Sequence, residues 1–186
     1  MKRRNFILSS LALTPLLAGA KLPTITFKES HPFLVKSGQS RNEGRYIMKG
    51  VTTNTIDVKV SSKDTDGQLT IIEQTGLSFK GGPPMHVHTE QDETFYIVEG
   101  EYVFIAGDER FALKAGDTIF LPRGVAHAFI QITERAKAVI SYQPSGKMEE
   151  FFQATSKWTS PPTPEEVSAV FAANGMMVVG PPIKLD

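Results

Sequence analysis

The chain contains no cysteine. Disulfides, thiolate metal sites, cysteine nucleophiles and lipid attachment through cysteine are therefore excluded. It has no apolar run long enough for a spanning helix. Neither sign of charge is in excess, with 20 basic and 20 acidic residues. Histidine is scarce: four occur in 186 residues, so their positions carry weight. What remains, 40% apolar and 22% charged residues, is the balance of a soluble globular protein, and the length fits one domain.

The first twenty residues have a layout of their own. Lys2, Arg3 and Arg4 form a positive start, a mostly apolar stretch runs from Phe6 to Leu17, and Ala18-Gly19-Ala20 supplies small residues at alternate positions. That is the three-part pattern of a secretory signal peptide, so an exported, periplasmic or secreted protein is expected. Pro15 interrupts the stretch as a helix. Arg3-Arg4-Asn5-Phe6-Ile7 also resembles a twin-arginine signal, with Lys2 and Leu8 as departures; ordinary Sec export fits as well. Cleavage after Ala20 removes three basic residues and leaves 17 against 20 acidic, a net −3. A weakly acidic chain without a basic cluster argues against nucleic acid or an anionic membrane as partner.

Beyond residue 20 the pattern is strand after strand. β-rich runs occupy 24–27, 46–48, 55–60, 69–72, 94–98, 102–106, 118–121 and 136–142. Turn signals separate them: Asp66-Gly67, Glu99-Gly100, Gly107-Asp108 and Gly116-Asp117. Short strands at this spacing predict an all-β antiparallel sandwich or barrel over residues 21–160. After Pro144, residues 148–152 suit a short helix. Thr163 is a plausible N-cap, with Pro164 at the first helical position and Glu165 and Glu166 in the first turn. The helix should end near Ala173, before Asn174-Gly175, with Val167, Val170 and Phe171 facing the barrel. Residues 161–186 thus read as a C-terminal helix followed by an extended tail.

Three histidines stand out. His86 and His88 are two residues apart, so on a strand they share one face. Glu93, Phe95 and Ile97 share a face on the next strand, and His127, Phe129 and Gln131 on a later one. Three imidazoles and one carboxylate meeting inside a barrel make a site for one divalent first-row ion: Fe, Mn, Co, Ni, Cu or Zn. Four ligands leave one or two positions open for oxygen or a substrate oxygen. A lone His-x-His is also what a half-exposed strand carries, with Glu93 as a solvated charge. Among the neighbouring acids, Asp92 should point away and Glu90 should lie on a loop. His31 matches no ligand spacing. Phe79, Phe95 and Phe129 could line an aromatic pocket or be ordinary core.

Two longer patterns carry a family resemblance. His86-x-His88-x4-Glu93-x6-Gly100 resembles the first cupin motif, and Gly116-x5-Pro122-x-Gly124-x2-His127-x3-Gln131 resembles the second. Lys80 stands where the first motif usually has glycine, and Gln131 where the second usually has asparagine. The resemblance implies a cupin jelly-roll barrel with the metal held by His86, His88, Glu93 and His127. It also implies that barrels pair as homodimers.

The arrangement resembles the single-domain quercetin dioxygenase-like cupins, as does the tail from Gly175 to Pro182. That implies a dioxygenase-type oxidoreductase acting on a small enol or phenolic, flavonol-like substrate. Glu93 would be the proton acceptor, and Phe95, Ile97, Phe129 and Gln131 the substrate-facing side chains. A small-molecule-binding cupin without turnover, for a sugar or a phenolic, and a metal-dependent isomerase or lyase remain open on the same scaffold.

Overall fold

Alternation of buried and half-exposed positions sets the architecture. In Thr70–Gly76, residues 70, 72, 74 and 76 are buried and those between them are half-buried, the mark of a strand with one face on a core. The computed structural model describes residues 31–185. The expected signal peptide at 1–20 and strand at 24–27 lie outside the described residues.

Eleven strands are described: β1 Arg45–Met48, β2 Asn54–Val60, β3 Thr70–Gly76, β4 Pro84–His88, β5 Asp92–Glu99, β6 Glu101–Ala106, β7 Glu109–Lys114, β8 Thr118–Leu121, β9 His127–Gln131, β10 Ala136–Gln143 and β11 Met176–Pro182. They form two sheets, β1-β2-β3-β10-β5-β8 and β11-β4-β9-β6-β7. Every paired neighbour is antiparallel. This is the expected all-β jelly-roll architecture.

The core lies between the sheets. Phe95, Ile97, Ile72 and Ile140 come from one sheet, Tyr102 and Phe104 from the other, and all are essentially inaccessible. Phe95 meets Phe104 edge to face at 5.0 Å between ring centres, and Phe129 lies 5.5 Å from each. Such contacts add to the hydrophobic gain of burying large rings.

β7 is the strand absent from the sequence reading. It is an edge strand, Glu-Arg-Phe-Ala-Leu-Lys, of which only Leu113 is buried, so no apolar alternation announces it. The tail is extended as expected, and it is also paired: β11 runs beside the histidine-bearing β4, with Met176 opposite His88 and Val178 opposite His86.

Two helices follow β10. α1 spans Met148–Thr155, three residues longer than the sequence suggested, and the Glu149 carboxylate accepts from Ser61 Oγ and the Ser62 backbone N–H, 2.7–3.0 Å away. α2 spans Pro164–Ala173 and begins in a capping box between Thr163 and Glu166. Its buried side chains are Val167 and Phe171, and Phe171 packs edge to face on Phe151 of α1 at 5.0 Å.

The loop before β4 is tight. A Cβ at Gly82 would overlap the backbone carbonyl of Phe129. Lys80, where the family pattern has glycine, has φ +57°, a conformation in which glycine is strain-free and lysine is not. Gly82→Ala should therefore destabilise the protein by about 2 kcal/mol or more, read as a lower midpoint in urea unfolding. An unchanged midpoint would contradict this close approach.

Candidate metal centre

Each candidate ligand is delivered by strand geometry. His86 and His88 project from β4, Glu93 from the start of β5 and His127 from the start of β9. β4 and β9 pair through His86 and His127, whose ring centres are 4.6 Å apart. The ligand-capable atoms of His86, His88, Glu93 and His127 all lie within 4.8 Å of one another, and all four residues are buried. Glu93 Oε2 is 3.1 Å from His127 Nε2 and 3.6 Å from His88 Nε2.

Two rings are oriented from behind. His86 Nδ1 donates to the Pro84 carbonyl at 2.8 Å, and His127 Nδ1 to the Val125 carbonyl at 3.0 Å. With the proton on Nδ1, His86 Nε2 presents its lone pair to the cluster, and His127 Nε2 does so once the proton it shares with Glu93 leaves, as a metal-ligating histidine requires. His88 Nδ1 is buried beside Gln91, whose Oε1 is also unpaired.

Electrostatics prepare the site for a cation. Burial, and then the neighbouring imidazoles, push His86 down to about 3, and burial lowers His88 as well. Burial drives Glu93 upward, but the hydrogen bond from His127 and the charges of the three histidines outweigh it and bring Glu93 to about 2. Burial likewise opposes charge on His127, yet the hydrogen bond to Glu93, its charge and the Val125 carbonyl raise that ring above an ordinary imidazole. Near pH 6 the metal-free site thus pairs one carboxylate with a protonated His127, beside a neutral His86.

The donor set fits a divalent first-row metal. With bonds of about 2.1 Å, ligand atoms on one ion stand up to about 4.2 Å apart, so closing from 4.8 Å takes only small side-chain adjustments.

The cluster opens onto a cavity of about 100 Å³, far more than one water needs. His86, His88, Glu93, Phe95 and Phe129 line it. The helices supply much of the rest, through Met148, Phe151, Phe152 and Phe171, with Trp158 from the segment between them. Phe171 also packs on the His86 ring at 5.3 Å.

Two of the proposed substrate-facing side chains lie elsewhere. Ile97 is inward and fully buried, but unlike Phe95 it is not on the cavity wall. Gln131 is buried too, with its carboxamide turned away to donate to the carbonyls of Gly76, Thr133 and Glu134 at 2.7–3.2 Å. Phe79 is 55% exposed and does not line the cavity. Asp92 points outward, as expected, in a two-pronged ion pair with Arg123 at 2.7–2.9 Å, and Glu90 is exposed.

Several site residues escaped the sequence reading. Tyr142 on β10 sits opposite Glu93 in the strand register. It lines the cavity, and its hydroxyl hydrogen-bonds the Glu93 carboxylate; burial, then that negative charge, raise it well above an ordinary phenol. Its inward parity with Ala138 and Ile140 was readable, but its strand partner was not. Asn54 and Gln74 also line the cavity.

Comparison with known proteins follows the same residues. The family model described as Cupin domain matches residues 78–142, a stretch that contains all four clustered side chains. An uncharacterized protein of Aquifex aeolicus is 32% identical over 100 residues, covering 48% of this chain and 83% of that protein. The chain belongs to the cupin family. Quercetin 2,3-dioxygenase of Bacillus subtilis is 27% identical to this cupin over 127 residues, 67% of this chain. The cupin spans only 35% of that relative's length. A Thermotoga maritima crystal structure, described as that of a predicted oxalate decarboxylase, superposes with a TM-score of 0.51 at 16% identity. That match covers 60% of this chain and 99% of the other, and the likeness concerns the fold alone.

Two outcomes are expected. Losing a group behind a metal ligand typically costs about 10–100-fold in affinity, and losing a ligand should cost at least that. Elemental analysis after purification should therefore show a metal in the wild type and in His31→Ala, but not in His86→Ala or His127→Ala. In the metal-free protein, ring-nitrogen NMR at pH 6 should find His127 protonated and His86 neutral. The reverse assignment would contradict the electrostatics above.

Proposed function

We propose that this cupin is a metal-dependent dioxygenase acting on a small, flat enol or phenolic substrate of flavonol type. The observation that carries the reading is a buried cluster of one carboxylate and three imidazoles, of which Glu93, His86 and His88 stand on the wall of an aromatic-sided cavity. The 27% identity to a quercetin 2,3-dioxygenase over two thirds of the chain supports it.

His86, His88, Glu93 and His127 would hold the ion. When bound, it supplies Lewis acidity for a substrate oxyanion and the electron exchange that reaction with dioxygen requires. The chain's own residues do the rest. Glu93 accepts the proton of the substrate hydroxyl. Tyr142 donates to Glu93 and holds the carboxylate in place. Phe95 and Phe129 from the strands and Phe151, Phe152 and Phe171 from the helices orient a flat ring and exclude water, which strengthens every charge interaction inside.

Export and pairing belong to the same proposal. The positive, apolar and small-residue segments of residues 1–20 support action outside the cytoplasm. Exposed Tyr96, Val98 and Phe120 on adjoining β5 and β8 support a homodimer through that face.

The test is oxygen uptake with flavonols and simpler enols by protein loaded in turn with Fe, Mn, Co, Ni, Cu and Zn. At least one metal should support turnover, and Glu93→Gln should lower kcat by about 100-fold or more. Absence of uptake with every metal would remove the oxygenase reading.

A further inference from the structure

The cavity has a second polar end, built from Asn54 and Gln74. Asn54 is 8% exposed and Gln74 5% exposed, and both line the same space as the histidine cluster. Both face inward: Asn54 shares parity with buried Ile56 and Val58 on β2, and Gln74 with Thr70 and Ile72 on β3. They are close neighbours, since Gln74 pairs with Ile56 and Asn54 with Gly76.

The strand register separates this end from the metal ligands. Glu93 lies opposite Tyr142 on β10, whereas Gln74 lies opposite Ala138, four residues away. At the rise of an antiparallel strand that is roughly 13 Å along the barrel. Between the two levels the wall is apolar, formed by Phe95 and Ile140.

The hydrogen-bonding capacity at this end is only partly used. Asn54 Nδ2 donates to Thr52 Oγ1 at 2.8 Å, which fixes the carboxamide; among the described residues its oxygen has no partner. Gln74 neighbours the buried Tyr102 hydroxyl, which itself lacks a well-formed hydrogen bond among the described residues. Two amides, nine-tenths buried and facing a cavity with open valences, are costly unless something polar completes them.

We propose that Asn54 and Gln74 form a distal subsite that hydrogen-bonds a hydroxyl or carbonyl at the far end of the ligand, so that the preferred ligands are polyphenols with oxygen functions at both ends. This rests on the phenolic reading above. It adds that specificity is set at the end remote from the metal, by residues that hold no metal.

The experiment compares two flavonols, quercetin and 3-hydroxyflavone, which share the enol group while only quercetin carries further hydroxyls. Binding is measured by titration, without oxygen, to protein loaded with redox-inert zinc. Wild type should bind quercetin about tenfold tighter or more. In Gln74→Met and Asn54→Leu, near-isosteric changes, that preference should shrink by about the same factor, with zinc content and 3-hydroxyflavone affinity unchanged. Equal binding of the two flavonols by wild type would overturn the subsite, as would variants that weaken both to the same extent. Binding of neither flavonol would remove the phenolic reading and the subsite with it.

Discussion

Two short hydrogen bonds underlie the rest of the site. His86 Nδ1 is tied to the carbonyl of Pro84 and His127 Nδ1 to that of Val125, each two residues back along its own chain. These local contacts decide which nitrogen carries the proton and which faces the cavity. The β4–β9 pairing then brings the two rings face to edge, and β5 places the carboxylate against them. Without the backbone carbonyls the same side chains would form a buried polar cluster with no preferred direction.

The barrel bears the cost of burying this cluster and uses the arrangement for function. An isolated carboxylate in an apolar interior is strongly disfavoured, and here it is balanced by an imidazolium at 3.1 Å and a tyrosine hydroxyl. A divalent ion would replace that imidazolium charge and release its proton, which couples metal binding to pH. The two helices and β11 are part of the same machinery. β11 braces the histidine strand, and Phe151 and Phe171 from the two helices line the cavity together with Phe95 and Phe129.

Most of the fold was legible because alternation and turns are local signals. The four clustered residues were legible for the same reason, since spacing fixes which face a side chain takes. Face, however, does not fix depth. Ile97 has the parity of Glu93 and is buried as expected, yet it lies beyond the cavity. Gln131 faces inward, but three nearby carbonyls capture its amide. Tyr142, Asn54 and Gln74 went unnoticed because their relation to the site depends on strand register between segments tens of residues apart, which no single segment records. β7 was hidden by its charged, exposed edge.

The central claim is that three imidazoles and one carboxylate converge on a single ion. X-ray absorption at the edge of the metal that co-purifies with the protein tests it most directly. The account predicts a first shell of nitrogen and oxygen at about 2.0–2.2 Å, with the multiple-scattering signature of three imidazole rings. A shell of water oxygens alone, without imidazole scattering, would contradict it.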